Sequence, residues 1–447
     1  MNKKLFAFGI SLVVIGILLL FPYSSISKAY PHFSSANIST MAKVDTASLN
    51  ATGRNEYIVE LVTPSGIQAL EEQNELIGVL ESYGGEVKAR YSVINALDVE
   101  LDSEHLMDIA SLPYVKRVYL NRNVARVFPF ETSTDSGTEL KNIFEGNYTG
   151  KGVVVAVVDT GINPDLDIFE GKVIDTFTIS GSDYVQWHGN AVASIIVSIA
   201  PDVSLINVMV FQPDGSAYLA DILQGLDFIQ RWHRSHLDVP LIVSNSWGIS
   251  QDTWHCGGWQ SPCIICEAIN SLTKQGIAVV NAGGNDGSIH DAINCPGQAY
   301  YALCVASVDK DLRWSYFSSV GPTTDGNKKP DVAEIGENVV VIDTSGNERV
   351  VSGTSFATPV VSALLALLME KYGTSLSIMD YYEIIKHNTI DVEEEGYDYK
   401  TGYGVPNANI DLYVAEVSGD EIKMYAGGGF ILVGLICIGV AYGGRKV

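Results

Sequence analysis

The chain has 447 residues, with 52 acidic against 28 basic side chains and a formal net charge of −24. That balance excludes a nucleic-acid-binding surface, which needs clustered Lys and Arg to displace counterions. Hydrophobic residues make up 47% and charged ones 18%, which excludes a largely disordered chain and predicts one large domain with a smaller companion.

In chain order, residues 1–29 read as a signal peptide. Lys3 and Lys4 precede an apolar run over 5–21, and Ser27-Lys28-Ala29 offers a small-residue cleavage site. An uncleaved anchor is the alternative. Residues 30–53 are polar and read as linker. Over 54–125 the pattern predicts a strand at 57–62, a helix at 67–83, two alternating strands within 85–101, a helix at 103–111 and a strand at 115–120. The order βαββαβ is that of a ferredoxin-like α+β unit.

Residues 126–149, rich in Ser, Thr, Asp and Gly, read as a second linker. From 150 to 418, Val- and Ile-rich strand candidates at 153–158, 205–210, 241–245, 277–281 and 339–342 alternate with helical patterns at 216–234, 266–275, 358–372 and 378–387. Continuous apolar strands separated by helices predict a three-layer α/β fold with a mostly parallel sheet covered on both faces. In such sheets the chemistry gathers beyond the carboxyl ends of the strands. Residues 424–444 carry no charge and are followed by Arg445 and Lys446. They are read as a transmembrane helix with a cytoplasmic tail, which puts the bulk of the protein outside the cell.

Of six cysteines, Cys437 falls in that span. Cys256, Cys263, Cys266, Cys295 and Cys304 form an odd set that closes at most two disulfides. Cys263-Ile264-Ile265-Cys266 also fits zinc, but no second ligand pair stands at a matching spacing. Disulfides are the preferred reading, with connectivity open.

Three segments carry candidate chemistry. Asp159 ends the strand at 153–158, where a carboxylate either serves a site or caps the next element. His188 sits in a run of small residues, WHGNAVAS, that lets a helix start close to its neighbours. Ser355 precedes Pro359, a residue tolerated only at a helix beginning, so the helix opens near Ser355 and its hydroxyl meets unpaired N–H groups. An ordinary N-cap serine is the bland alternative.

Together, Asp159-Thr160-Gly161, His188-Gly189 and Gly353-Thr354-Ser355-Phe356-Ala357-Thr358-Pro359 resemble the three signatures of the subtilisin-like serine proteases, in that family's order of Asp, His and Ser. The resemblance covers about 150–412. It implies that Ser355 is the nucleophile, His188 the general base and Asp159 its orienting partner. Asn285, in GIAVVNAGGNDG, resembles the family's oxyanion-hole asparagine, and Ser246-Trp247-Gly248 its substrate-pairing ledge. The unit at 54–125 resembles its propeptide, an intramolecular chaperone and inhibitor cut away within 126–149. The implied partners are polypeptide substrates, that propeptide and a membrane. No cofactor is implied for catalysis, and structural calcium is possible with its ligands unassigned.

Departures from the pattern include Asn190 and Ala191 where most relatives continue Thr-His, Phe356 in place of methionine, and Val360 in place of histidine. The short stretch from Ala193 to Pro201 leaves no room for a calcium loop found there in many relatives. Asp286 is expected near the first substrate pocket. A catalytically silent relative used for binding or adhesion is the alternative function. An α/β-hydrolase esterase is set aside, because Gly-Thr-Ser-Phe-Ala lacks the second glycine of Gly-x-Ser-x-Gly and the acid precedes the serine.

Overall fold

Period-two alternation decides the N-terminal unit. In the computed structural model, which describes residues 39–127, 130–131, 137–141, 143–179, 186–249, 263–288 and 293–409, β1 (Arg54–Leu61) sends Tyr57, Val59 and Leu61 to one face and Ile58 to the other. It is followed by α1 (Ile67–Ser82), β2 (Glu86–Tyr91), β3 (Ala96–Asp102), α2 (Leu106–Ser111) and β4 (Val115–Leu120). The strands form an antiparallel sheet in the order β2-β3-β1-β4. Leu76 and Leu80 of α1 and Ile109 of α2 pack with Tyr57, Val59, Val99 and Val118 in one core. The signal-peptide segment, the 424–444 span and Cys256 lie outside the described residues.

The larger body begins with β5 (Asn123–Arg126) and β6 (Phe130–Glu131). Then come β7 (Val154–Asp159), β8 (Val173–Thr178), α3 (Trp187–Ile199), β9 (Ser204–Met209), β10 (Ser216–Tyr218), α4 (Leu219–Ser235), β11 (Leu241–Asn245), α5 (Ile264–Lys274), β12 (Ala278–Ala282), β13 (Leu303–Val308) and β14 (Val332–Ile335). It closes with β15 (Val339–Ile342), β16 (Glu348–Ser352), α6 (Thr354–Tyr372) and α7 (Ile378–His387). Seven strands make the central sheet, in the order β14-β13-β12-β11-β7-β9-β8, and every neighbouring pair is parallel. One face is covered by α3 and α6, the other by α4 and α5. Each of β7, β11, β12 and β13 is buried along its whole length. This is why β7, β11 and β12 read as continuous apolar runs; β13, equally buried, was not among the expected strands.

From Thr354 to Met369 every residue of α6 is buried, as an all-round apolar helix must be when it runs through a core. Pro359 sits one turn inside α6 rather than at its beginning. It leaves the Ser355 carbonyl without an i+4 donor, while the Thr358 hydroxyl donates to Thr354 O at 2.8 Å.

Other expectations are corrected. The strand at 339–342 forms, but it pairs antiparallel with β16 in a separate sheet completed by β6, outside the parallel one. The helix expected from 216 starts at Leu219, because Ser216–Tyr218 is taken up as β10 against β5. Residues 39–53, expected as linker, fold onto the N-terminal unit: Val44 is buried in its core and Asp45 caps a short helix, Thr46–Leu49. In the second expected linker, Leu140 and Phe144 belong to the core of the larger body.

The two parts share an apolar core in which Ile58, Tyr91, Val93 and Tyr119 lie with Leu223, Leu226, Ile264 and Ile269. Polar contacts frame it. Asp227 Oδ1 on α4 accepts from Ser92 N at 2.6 Å, Val93 N at 3.0 Å and Ser92 Oγ at 2.9 Å. Lys116 Nζ bridges Glu60 and Glu267 at 2.6 Å each.

Candidate active site

Asp159 stands at the carboxyl end of β7, Ser246 and Asn285 just past those of β11 and β12, and Ser355 in the first turn of α6. Asp159 is the last residue of β7. Its Oδ1 accepts a hydrogen bond from Thr160 N at 2.7 Å and lies 2.8 Å from Nδ1 of His188, the second residue of α3. Asp159 is 1% exposed and His188 0%. An imidazole whose Nδ1–H is held by a buried carboxylate keeps one tautomer, with Nε2 free to take a proton. Nε2 of His188 makes no hydrogen bond with a described residue.

The approach of α3 to β7 depends on small residues. Gly161 has φ +109, a conformation only glycine adopts readily. A Cβ on Gly189 would fall 2.6 Å from Gly161 O and 2.8 Å from Gly161 N, so no larger side chain fits while the helix stays in place. Thr160 closes the junction, since its Oγ1 accepts from Gly189 N at 2.9 Å and donates to Gln186 O at 3.2 Å.

Ser355 lies in the first turn of α6 and is 5% exposed. The next residue, Phe356, packs its ring against the imidazole of His188, with centroids 5.6 Å apart. The hydroxyl-bearing turn and the base thus border one space. Asn285, just past β12, is tied to the same turn: its Oδ1 accepts from Thr354 N at 3.0 Å and Thr354 Oγ1 at 2.9 Å. With its carbonyl end so engaged, its NH₂ end is left to donate.

Ser246 and Trp247 are buried after β11, with Trp247 edge-on to Phe211 at 6.0 Å. Gly248 is paired, in an antiparallel bridge with Arg126 of β5. On its other side β5 pairs with β10, and Val127 N donates to Gly215 O at 3.1 Å. The segment that directly follows the N-terminal unit, β5, therefore lies as a strand between Gly248 and β10. Asp286 is exposed and donates its N–H to Ser319 Oγ at 3.1 Å.

Residues 150–404 match the model of the subtilase family, more than half of the chain. The chain belongs to the subtilase family. It is a serine endopeptidase acting on polypeptides, and subtilases need no cofactor for catalysis. It is 28% identical to the serine protease AprX of Bacillus subtilis (strain 168) over 68% of this chain and 76% of that one. To subtilisin E of the same organism it is 26% identical over 76% and 88% of the two chains. In structure it resembles fervidolysin of Fervidobacterium pennivorans, described as a keratinolytic enzyme related to subtilisin, with a TM-score of 0.63 at 18% identity. That likeness covers 81% of this chain and spans 61% of fervidolysin.

Within this subtilase, sequence reading passed over three supporting residues. Thr160 and Thr354 lie inside the quoted motifs, and their hydroxyls hold Gly189 and Asn285 in place. Asn190, noted only as a departure, accepts from Asn163 N at 3.0 Å and donates to Ile342 O and Asp343 O, fastening α3 to the loop after β7 and to β15. A buried amide at the start of an apolar helix was the available signal, because such a group must be satisfied. From Trp187 to Ile199 α3 runs without interruption.

Proposed function

We propose that this subtilase is a self-processing, membrane-tethered endopeptidase that works outside the cytoplasm through Asp159, His188 and Ser355. Ser355 Oγ attacks the peptide carbonyl while His188 Nε2 takes its proton and then delivers it to the departing amine. Water attacks the acyl-enzyme by the reverse sequence. Asp159 holds the ring and stabilises its positive charge, and the Asn285 amide with the Ser355 N–H receives the oxyanion. The observation that carries this reading is the buried 2.8 Å contact between Asp159 and His188, beside the turn that bears Ser355.

The N-terminal unit acts as the propeptide. This is supported by β5, which occupies the space between Gly248 and β10 with the main-chain pairing an extended peptide makes when it adds to a sheet edge. Ser246, Trp247 and Gly248 then form the ledge for substrate. The apolar runs at 5–21 and 424–444 support export and a C-terminal membrane anchor. A silent adhesion protein is disfavoured, since every position the chemistry needs holds a competent residue. The test compares full-length wild type with Ser355→Ala for casein hydrolysis and for separation of the N-terminal unit. The proposal expects both in wild type and neither in the variant; equal processing in the two would overturn it.

A further inference from the structure

Beside the substrate ledge, three cysteines converge from two distant parts of the chain. Cys263 is the N-cap of α5 and Cys266 lies in its first turn, so a two-residue spacer brings both sulfurs to one helix end. Cys295, 32 positions beyond Cys263, is held by a pair of main-chain hydrogen bonds, Ile249 N to Cys295 O at 2.8 Å and Cys295 N to Ile249 O at 3.2 Å. The three Sγ atoms all lie within 4.8 Å of one another, and all three residues are buried. Cys263 to Cys295 measures 3.0 Å and Cys266 to Cys295 3.6 Å. Among the described residues no other set of metal-ligating side chains converges in this way.

We propose that Cys263, Cys266 and Cys295 bind one zinc ion through their thiolates. Zinc–sulfur bonds of about 2.3 Å in a tetrahedron place ligand sulfurs about 3.8 Å apart. The 3.6 Å separation meets that spacing, and the 3.0 Å one reaches it by a small rotation about χ1. A disulfide would join two of the sulfurs and give no reason for a third to be gathered. Cys266 N–H also points at Cys263 Sγ at 3.5 Å, the type of main-chain donor that supports a metal-bound sulfur. On binding, three thiols release three protons and the divalent ion takes three thiolates, leaving the fourth tetrahedral position for a further donor.

The site's place gives it a role. Ile249 directly follows Gly248, and Asn294, next to Cys295, donates its N–H to Gly283 O at 2.9 Å, two residues before Asn285. The zinc therefore ties the start of α5 to Asn294-Cys295, the pair of residues that hydrogen-bonds to Ile249 beyond the substrate ledge and to Gly283 before Asn285.

The test uses the full-length Ser355→Ala protein, purified in reducing, chelator-free buffer, with metal content measured by mass spectrometry. About one zinc per chain is expected, falling to background in Cys266→Ser and Cys295→Ser. Cys295→His, which still offers a ligand, retains the metal, as does Cys304→Ser. Cobalt substitution gives thiolate-to-metal charge-transfer absorption, lost in the serine variants. Zinc-free wild-type cysteines in the Ser355→Ala protein would overturn the proposal, as would zinc retained by Cys295→Ser. Because the count is made without the Ser355 hydroxyl, it stands apart from the proteolytic reading.

Discussion

Asp159 Oδ1 and His188 Nδ1 lie 2.8 Å apart, and neither side chain reaches solvent. Replacing Asp159 by Asn keeps the shape but exchanges a charge for an amide that favours the wrong tautomer. We predict that kcat falls about 10⁴-fold while KM changes little, as when such a carboxylate is neutralised elsewhere. Steady-state kinetics on a peptide substrate, read with the thermal midpoint, check this. An intact fold with activity near wild type would mean that this pair does not orient the base.

Gly189 sets how closely α3 approaches β7. The Cβ of Gly189→Ala would fall 2.6 Å from Gly161 O, so the helix must back away and carry His188 with it. Activity should drop about 100-fold, the scale expected when a catalytic group is displaced by about 1 Å. A folded Gly189→Ala protein with unchanged kcat/KM would show that the close contact serves packing alone.

The side chain of Asn285 is turned by its two hydrogen bonds from Thr354. Asn285→Ala should lower kcat by about 10²- to 10³-fold with KM nearly constant, since the lost donor acts on charge that develops only in the transition state. A rise in KM with kcat preserved would place Asn285 in ground-state binding.

Glu334 of β14 is 2% exposed, and burial pushes its carboxyl up from the usual range to about 7. The folded chain therefore keeps a proton that the unfolded chain loses above about pH 4.5. The stabilising contribution is full below that value and is lost as pH rises through 7. Over that window the loss is on the order of 3 kcal/mol for so deeply buried a group. Glu334→Gln should flatten the fall of thermal midpoint between pH 5 and 8. Parallel curves for variant and wild type would contradict this.

What could be read from sequence follows from how each part is built. β7, β11 and β12 are buried on both faces, so their Val and Ile runs announced them, and α7 matches its expected limits because Ser377 and Asp380 form a capping box at its start. In β8 exposed and half-buried residues alternate, and the edge strand β14 holds Glu334, so neither stood out as an apolar run. The short β10 looked like the beginning of a helix because only pairing with β5, a partner distant in sequence, makes it a strand. At the site, Asp159, His188 and Ser355 were singled out by motifs that resemble the subtilase signatures, whereas a strand end, small residues and a helix start left bland alternatives open for each. Thr160, Thr354 and Asn190 were not singled out, since their hydrogen-bond partners come from elsewhere in the fold. Connectivity among the cysteines was left open for the same reason, because spacing along the chain does not disclose that Cys295 is the one that approaches Cys263 and Cys266.

The nucleophile itself gives the most direct test. Processed wild-type protein is treated with a fluorophosphonate, digested, and the adduct located by mass spectrometry. The account predicts a single adduct on Ser355, absent from Ser355→Ala and slowed in Asp159→Asn. An adduct on another residue, or undiminished peptide hydrolysis by Ser355→Ala, would contradict it.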